Sequence, residues 1–145
     1  MLFFPNAKIN IGLNVVEKRP DGFHNIESIF YPVNELCDVL DIIESDELTF
    51  KSTGISIPGD GDQNLCVKAF ELLKADYNMP NVSIHLHKII PIGAGLGGGS
   101  ADAAYTLKAL NEMFDLNLSD DQLITYARKL GSDCAFFIKN EPVYA

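Results

Sequence analysis

Along this chain the spacing of apolar residues changes period several times, and each change marks an element. From Lys8 to Val16 the pattern alternates, with Ile9, Ile11, Leu13 and Val15 set against Lys8, Asn10, Gly12 and Asn14. That predicts a half-buried strand with the apolar residues on its inner face. β-rich runs at Ile26–Val33, Val39–Glu44 and Leu48–Ser52, parted by turn residues, predict further strands of a mixed sheet. The segment 56–62 reads as a polar loop. From Asn64, a good N-cap, to about Tyr77 the positions Leu65, Ala69 and Leu72/Leu73 follow helical spacing. Val82–Ile90 alternates again, with Val82, Ile84 and Leu86 apolar and Ser83, His85 and His87 polar. A helix is expected from about Ser100 to Phe114 on Ala101, Ala104, Leu107 and Leu110. Ser119 and Gln122 form a capping box for the next helix, and Gly131 ends it at C′. The run Cys134–Ile138 then reads as a hydrophobic strand.

Composition narrows the class. At 145 residues, 47% hydrophobic and 21% charged, the chain is one globular domain's worth and can bury a proper core. A formal charge of −9 argues against nucleic acid as a partner, because a polyanion wants a basic face. It leaves room for a phosphorylated small molecule, whose charge Mg²⁺ commonly offsets. No apolar run approaches a membrane span, and the N-terminus has no basic segment leading a signal peptide, so a cytoplasmic protein is expected. Cys37, Cys66 and Cys134 are odd in number and widely spaced, which fits reduced thiols better than disulfides or a zinc site. His85 and His87 share one strand face, but two metal ligands without a third carry little, and both read as structural.

The candidate chemistry lies at Pro91-Ile92-Gly93-Ala94-Gly95-Leu96-Gly97-Gly98-Gly99-Ser100. Five of the seven residues from Gly93 to Gly99 are glycine, and a helix follows at once. Such a loop can turn consecutive N–H groups into one concavity, and the helix N-terminus adds roughly +0.5 charge, so loop and helix together make a phosphate site. Ser100 would supply a helix cap or a first-turn hydroxyl. Residues Gly93–Gly98 satisfy G-x-G-x-x-G, yet a dinucleotide fold needs an acidic residue on a following strand, and Asp115 falls in a connection between helices. The lysine of a P-loop is missing. Neither of the two commonest phosphate frameworks fits.

A third framework does. Pro91–Ala101 resembles the P-x-G-x-G-L-G-S/G-S/G-S motif of the GHMP small-molecule kinases, among them galactokinase and the homoserine, mevalonate and phosphomevalonate kinases. Four more segments are similar to that family and stand in its order. Pro5-Asn6-Ala7-Lys8-Ile9-Asn10-Ile11-Gly12-Leu13 resembles P-A-K-I/L-N-L, and Asp62–Ala69 resembles D-x-N-L-x-x-K/R-A. Leu130–Phe137 resembles L-G-A/S-D-V/C-P/A-F-F, with Ala135 where proline is usual. Arg19-Pro20-Asp21-Gly22-Phe23-His24 looks like a segment of the branch whose alcohol substrate is a cytidine-diphosphate-linked polyol.

The resemblance implies an α/β fold, more closely an α+β two-layer domain like the second domain of ribosomal protein S5, spanning residues 1–145. It implies ATP and Mg²⁺ as cofactors, with Pro91, Gly93, Gly95, Leu96, Gly97, Gly98, Gly99 and Ser100 around the phosphates and Ser100 a possible Mg²⁺ ligand. Asn64 would lie at the adenine, and Lys88 would help hold the nucleotide. Lys8 and Asp133 would be catalytic, with Asp133 the base. Asn10, Phe23 and His24 would bind the alcohol, Phe23 stacking on the cytosine, a flat base that suits an aromatic face. The family also carries a second, ferredoxin-like domain that these 145 residues do not contain, so little or no kinase activity is expected of them alone. Two rivals are another GHMP kinase, acting on mevalonate, homoserine or a sugar, and a non-catalytic nucleotide-binding domain.

Overall fold

The alternating segments close into two sheets over one layer of helices. The structure, a computed structural model, describes residues 1–18, 20, 24–59 and 61–144, and the side chains of all of these except 13–18, 24–27 and 62. One sheet has four strands in the order β1-β4-β6-β5, made of β1 (Leu2–Phe3), β4 (Val39–Ser45), β6 (Asn81–Lys88) and β5 (Thr49–Gly54). It is mixed, as expected: β4 runs antiparallel to β1 and β6, and β5 runs parallel to β6. The register sets Leu40 opposite Leu86 and Ile42 opposite Ile84, so the apolar faces of β4 and β6 stack on one side. The other sheet holds β2 (Asn6–Lys18), β3 (His24–Cys37) and the short β7 (Val143–Tyr144), all antiparallel.

Four α-helices follow: α1 (Leu65–Asp76), α2 (Gly98–Met113), α3 (Asp120–Leu130) and α4 (Phe136–Lys139). The core joins Leu40, Ile42, Val82, Ile84 and Leu86 of the mixed sheet to Leu73, Leu107, Leu110 and Leu123 of the helices. Helix α2 is central. Its Ala101, Ala103, Ala104 and Ala109 are fully buried, because small side chains let α1, α3 and the sheets approach from several sides. Asn64 caps α1 by accepting from the Cys66 N–H, and the Ser119–Gln122 capping box forms in both directions. His85 and His87 stay exposed, and each bonds the Thr53 hydroxyl on β5.

Three expectations are corrected. The apolar positions of β2 do not form an inner face: residues 9–12 are all exposed, Ile9 and Ile11 at 39% and 45%, whereas Lys8 is 4% exposed. A period of two separates two faces without saying which meets the core. Here Lys8 turns inward beside Gly97, while Ile9 and Ile11 face outward across the register from Tyr31 and Ile29. The segment Cys134–Ile138 is not a strand. It makes the turn and helix α4, burying Cys134, Phe137 and Ile138 at helical spacing. Of the two places expected for Ser100 the structure takes the second: α2 begins two residues earlier with Gly97 as N-cap at φ 70°, and Ser100 lies in the first turn. Gly131 ends α3 in extended backbone (φ 168°), not in the left-handed form that favours glycine at C′.

Candidate active site

Sequence and backbone geometry together shape the glycine loop. Gly93, Gly95 and Gly97 take φ of 74°, 76° and 70°, and Gly98 and Gly99 already belong to α2. A Cβ on Gly97 would come within 3.1 Å of both Lys8 Cγ and Phe137 Cζ, and one on Gly98 within 2.9 Å of Ile90 Cγ2. These two glycines are therefore needed for close approach. No side chain caps α2, which leaves its first-turn N–H groups aimed at a cavity of about 390 Å³. Pro91, Gly93, Gly95, Leu96, Gly97, Gly98, Gly99 and Ser100 all line it, as do Asn64 and Lys88. Asn64 thus caps α1 and borders the cavity at once. Ile57, Pro58 and Gln63 also line it, and no pattern in the sequence distinguished them from an ordinary polar loop.

Strand β2 is tied to the loop through the Lys8 N–H, which donates to Leu96 O at 2.8 Å. The Lys8 side chain then runs past Gly97. Its ammonium donates to Asn10 Oδ1 at 2.8 Å, sits 4.6 Å from the centre of the Phe30 ring, and lies 3.9 Å from Asp133 Oδ2. Asp133 lies in the turn before α4 with its side chain 37% exposed, within reach of solvent or ligand. The structure thus brings Lys8, Asn10, Asp133 and the loop together from segments far apart in sequence. Phe23 lies outside the described residues. His24 opens β3, but its side chain lies outside them too.

Beneath the loop is a cluster that sequence reasoning missed. The Lys88 ammonium donates to Asp38 Oδ2 at 2.7 Å and Asp102 Oδ2 at 2.9 Å, and all three residues are 4% exposed or less. Asp38 Oδ1 also accepts from the Ile89 and Ile90 N–H groups, at 2.7 and 2.8 Å. Lys88 therefore borders the cavity with its charge already held by two carboxylates. Burial by itself would depress its pKa, but Asp102 and Asp38 outweigh that and raise it.

The two acids part ways. Burial works against the Asp38 carboxylate, yet its hydrogen bonds to Asp102, the backbone and Lys88 prevail and hold it below the usual range. Burial, with a hydrogen bond to Asp38, pushes Asp102 up to about 8 against the pull of Lys88. One shared proton leaves the trio neutral overall, which is the cheap state for a dry site. A carboxyl raised from 3.8 to about 8 binds a proton in the folded chain that the unfolded chain has lost. Its stabilisation is complete below 3.8 and disappears as pH rises through about 8. Asp102→Asn is accordingly expected to flatten the fall in urea midpoint between pH 5 and pH 8. A slope equal to that of the unmodified chain would show that Asp102 does not carry it.

A lysine on a strand, a glycine-rich loop at a helix start and an acid in a following turn thus stand together in one place. The model of the GHMP kinases N terminal domain matches residues 64–141, and the chain belongs to the GHMP kinase family. Within it, the chain is 54% identical to the 4-diphosphocytidyl-2-C-methyl-D-erythritol kinase of Bacteroides fragilis, covering 100% of this chain and 54% of that protein. It is 56% identical to the enzyme of the same name from Cytophaga hutchinsonii, covering 100% and 53%. The crystal structure of a 4-(cytidine 5'-diphospho)-2C-methyl-D-erythritol kinase superposes with a TM-score of 0.84 at 37% identity, over 100% of this chain and 51% of that one. Methanococcus jannaschii mevalonate kinase, at 17% identity and a TM-score of 0.75, shares the fold, over 100% of this chain and 53% of its own. The chain spans about half the length of the curated relatives it matches.

Among the described residues, no helix is long and apolar enough to cross a membrane.

Proposed function

We propose that this chain is the nucleotide-binding half of an ATP-dependent kinase that phosphorylates the 2-hydroxyl of 4-diphosphocytidyl-2-C-methyl-D-erythritol, in cytoplasmic isoprenoid precursor synthesis. The observation that carries the reading is the reach of Lys8. Its backbone is bonded to the glycine loop while its ammonium stands 3.9 Å from Asp133. A cation in that position would serve both a triphosphate held on the loop and an acid able to take a proton.

Phosphoryl transfer passes through a loose transition state, so positioning and charge stabilisation do most of the work. The first-turn N–H groups of α2 would bind the phosphates, and Asn64 would lie at the adenine. Asp133 would accept the proton of the attacking hydroxyl. Lys8, oriented by Asn10, would keep Asp133 ionised and offset charge on the moving phosphoryl group. Asn10, Phe23 and His24 would hold the alcohol, with Phe23 on the cytosine. Lys88 would serve from below, holding the loop's shape through Asp38 and Asp102.

Mg²⁺ would enter with ATP. Among the described residues no group of three or more His, Cys, Asp or Glu could hold a metal, and of the oxygen-bearing side chains lining the cavity (Gln63, Asn64, Ser100 and Asp102) Asp102 is already bonded to Lys88 and Asn64 to the Cys66 N–H. That donor set fits an ion held chiefly by the nucleotide's own phosphates, with Ser100 as its ligand from the protein. The ion would supply charge neutralisation between the phosphate oxygens.

The test is ADP release with Mg-ATP and the diphosphocytidyl alcohol, from the full-length protein and from these 145 residues alone. Turnover by the full-length protein, with little or none from the isolated chain, is expected. Turnover with mevalonate, homoserine or a sugar instead would reassign the substrate within the family. Nucleotide binding without turnover on any alcohol would leave a binding domain.

A further inference from the structure

Three elements carry the proposed chemistry: β2 with Lys8, α2 with the phosphate loop, and the turn into α4 with Asp133. Away from the cavity, one side-chain network joins all three. The amides of Asn6 and Asn140 pair reciprocally across 134 residues of chain. Asn6 Nδ2 donates to Asn140 Oδ1 at 3.0 Å, and Asn140 Nδ2 donates to Asn6 Oδ1 at 2.7 Å. The Tyr105 hydroxyl on α2 donates to Asn6 Oδ1 at 2.9 Å and accepts from Asn140 Nδ2 at 3.3 Å. Asn6 Nδ2 further donates to Ala7 O at 2.9 Å, next to Lys8.

We infer that Asn6, Asn140 and Tyr105 are positioning residues that set the separation between Lys8 and Asp133. The inference rests on the functional reading above. Asn6 stands two residues before Lys8, at the first position of β2, and is 2% exposed. Asn140 is the C-cap of α4, whose first turn bonds back to the turn residue through Phe136 N–H to Asp133 O. With φ of 56°, Asn140 holds a left-handed cap that turns its amide towards Asn6. A reciprocal amide pair fixes direction as well as distance, since each side both donates and accepts. The Lys8–Asp133 contact at 3.9 Å is by comparison long for an ion pair and does not by itself lock the two elements together. The network supplies that lock from a part-buried place outside the nucleotide cavity.

The experiment uses the full-length protein and three variants, Asn6→Ala, Asn140→Gly and Tyr105→Phe. Asn140→Gly keeps the left-handed backbone and removes only the amide. Tyr105→Phe keeps the ring and removes only the hydroxyl. Expected is a fall in kcat of about ten- to a hundredfold for the two asparagine variants, as for a misplacement near 1 Å. A smaller fall is expected for Tyr105→Phe. KM for ATP should hold within about twofold, because none of the three residues lines the nucleotide cavity. A lower Tm with unchanged kcat well below it would overturn the inference, as would equal changes in kcat and KM. If the unmodified protein does not phosphorylate this alcohol, the functional reading fails instead. Crystal structures of the same variants then decide: a Lys8–Asp133 separation longer by about 1 Å supports the inference, and an unchanged one overturns it.

Discussion

Asp133→Ala in the full-length protein is expected to lower turnover about 10³-fold, the middle of the range for a lost general base. Nucleotide affinity should hold within about twofold, because Asp133 is absent from the cavity lining and its nearest charged partner is Lys8. The two quantities are measured separately, kcat by ADP release and affinity by calorimetry with a non-hydrolysable nucleotide. Asp133→Asn is the sharper variant, since it keeps the shape and hydrogen bonds of the turn while losing the basic oxygen. Should turnover and nucleotide affinity fall together, Asp133 would be a structural residue of the loop region and not the base. Lys8→Ala is a poorer probe. That side chain packs against Gly97 and Phe30, so its loss also opens a gap beside the loop.

The largest effect on stability is expected from Asp38→Ala. The Asp38 carboxylate is fully buried and accepts from Lys88, Ile89 and Ile90. Removing it strands the Ile89 and Ile90 N–H groups and leaves Lys88 with Asp102 as its one remaining acidic partner. Breaking a buried ion pair from one side typically costs about 3–5 kcal/mol. For a domain of this size that corresponds to a drop in Tm of roughly 10–20 °C. Asp38→Asn keeps an oxygen for the two N–H groups and should lose less. The pH signature differs from that of Asp102. A carboxyl held below its ordinary value contributes stability above 3.8 that is lost as pH falls through the depressed value. Equal Tm for the alanine variant and the unmodified protein would show that Asp38 does not hold the loop.

Much of the site was legible because it lies in contiguous motifs. The glycine loop carries its own backbone requirement, and the residues around it line one cavity. Helix caps are similarly local, so Asn64, Ser119 and Gln122 were assigned from their neighbours alone. What escaped was non-local. Asp38 stands 50 residues from Lys88, and Asn6 stands 134 from Asn140, and nothing in either one's neighbourhood points to its partner. The short run Cys134–Ile138 was misread because five apolar residues fit a strand or a buried helical turn equally well. Only packing on the neighbouring helices chooses the helical spacing of Cys134, Phe137 and Ile138.

The sequence by itself determined the family resemblance, the order of most strands and helices, the glycine-rich loop and the identity of the lysine and acid beside it. These follow from local backbone preference and residue chemistry, which act over a few positions. The tertiary structure alone decided that Lys8 is buried on β2 while Ile9 and Ile11 face outward. It also decided that the charge of Lys88 is held by Asp38 and Asp102, and that Lys8 and Asp133 meet at 3.9 Å. Alternation marks two faces without choosing between them, and the energy of a buried charge depends on partners that only folding brings within reach.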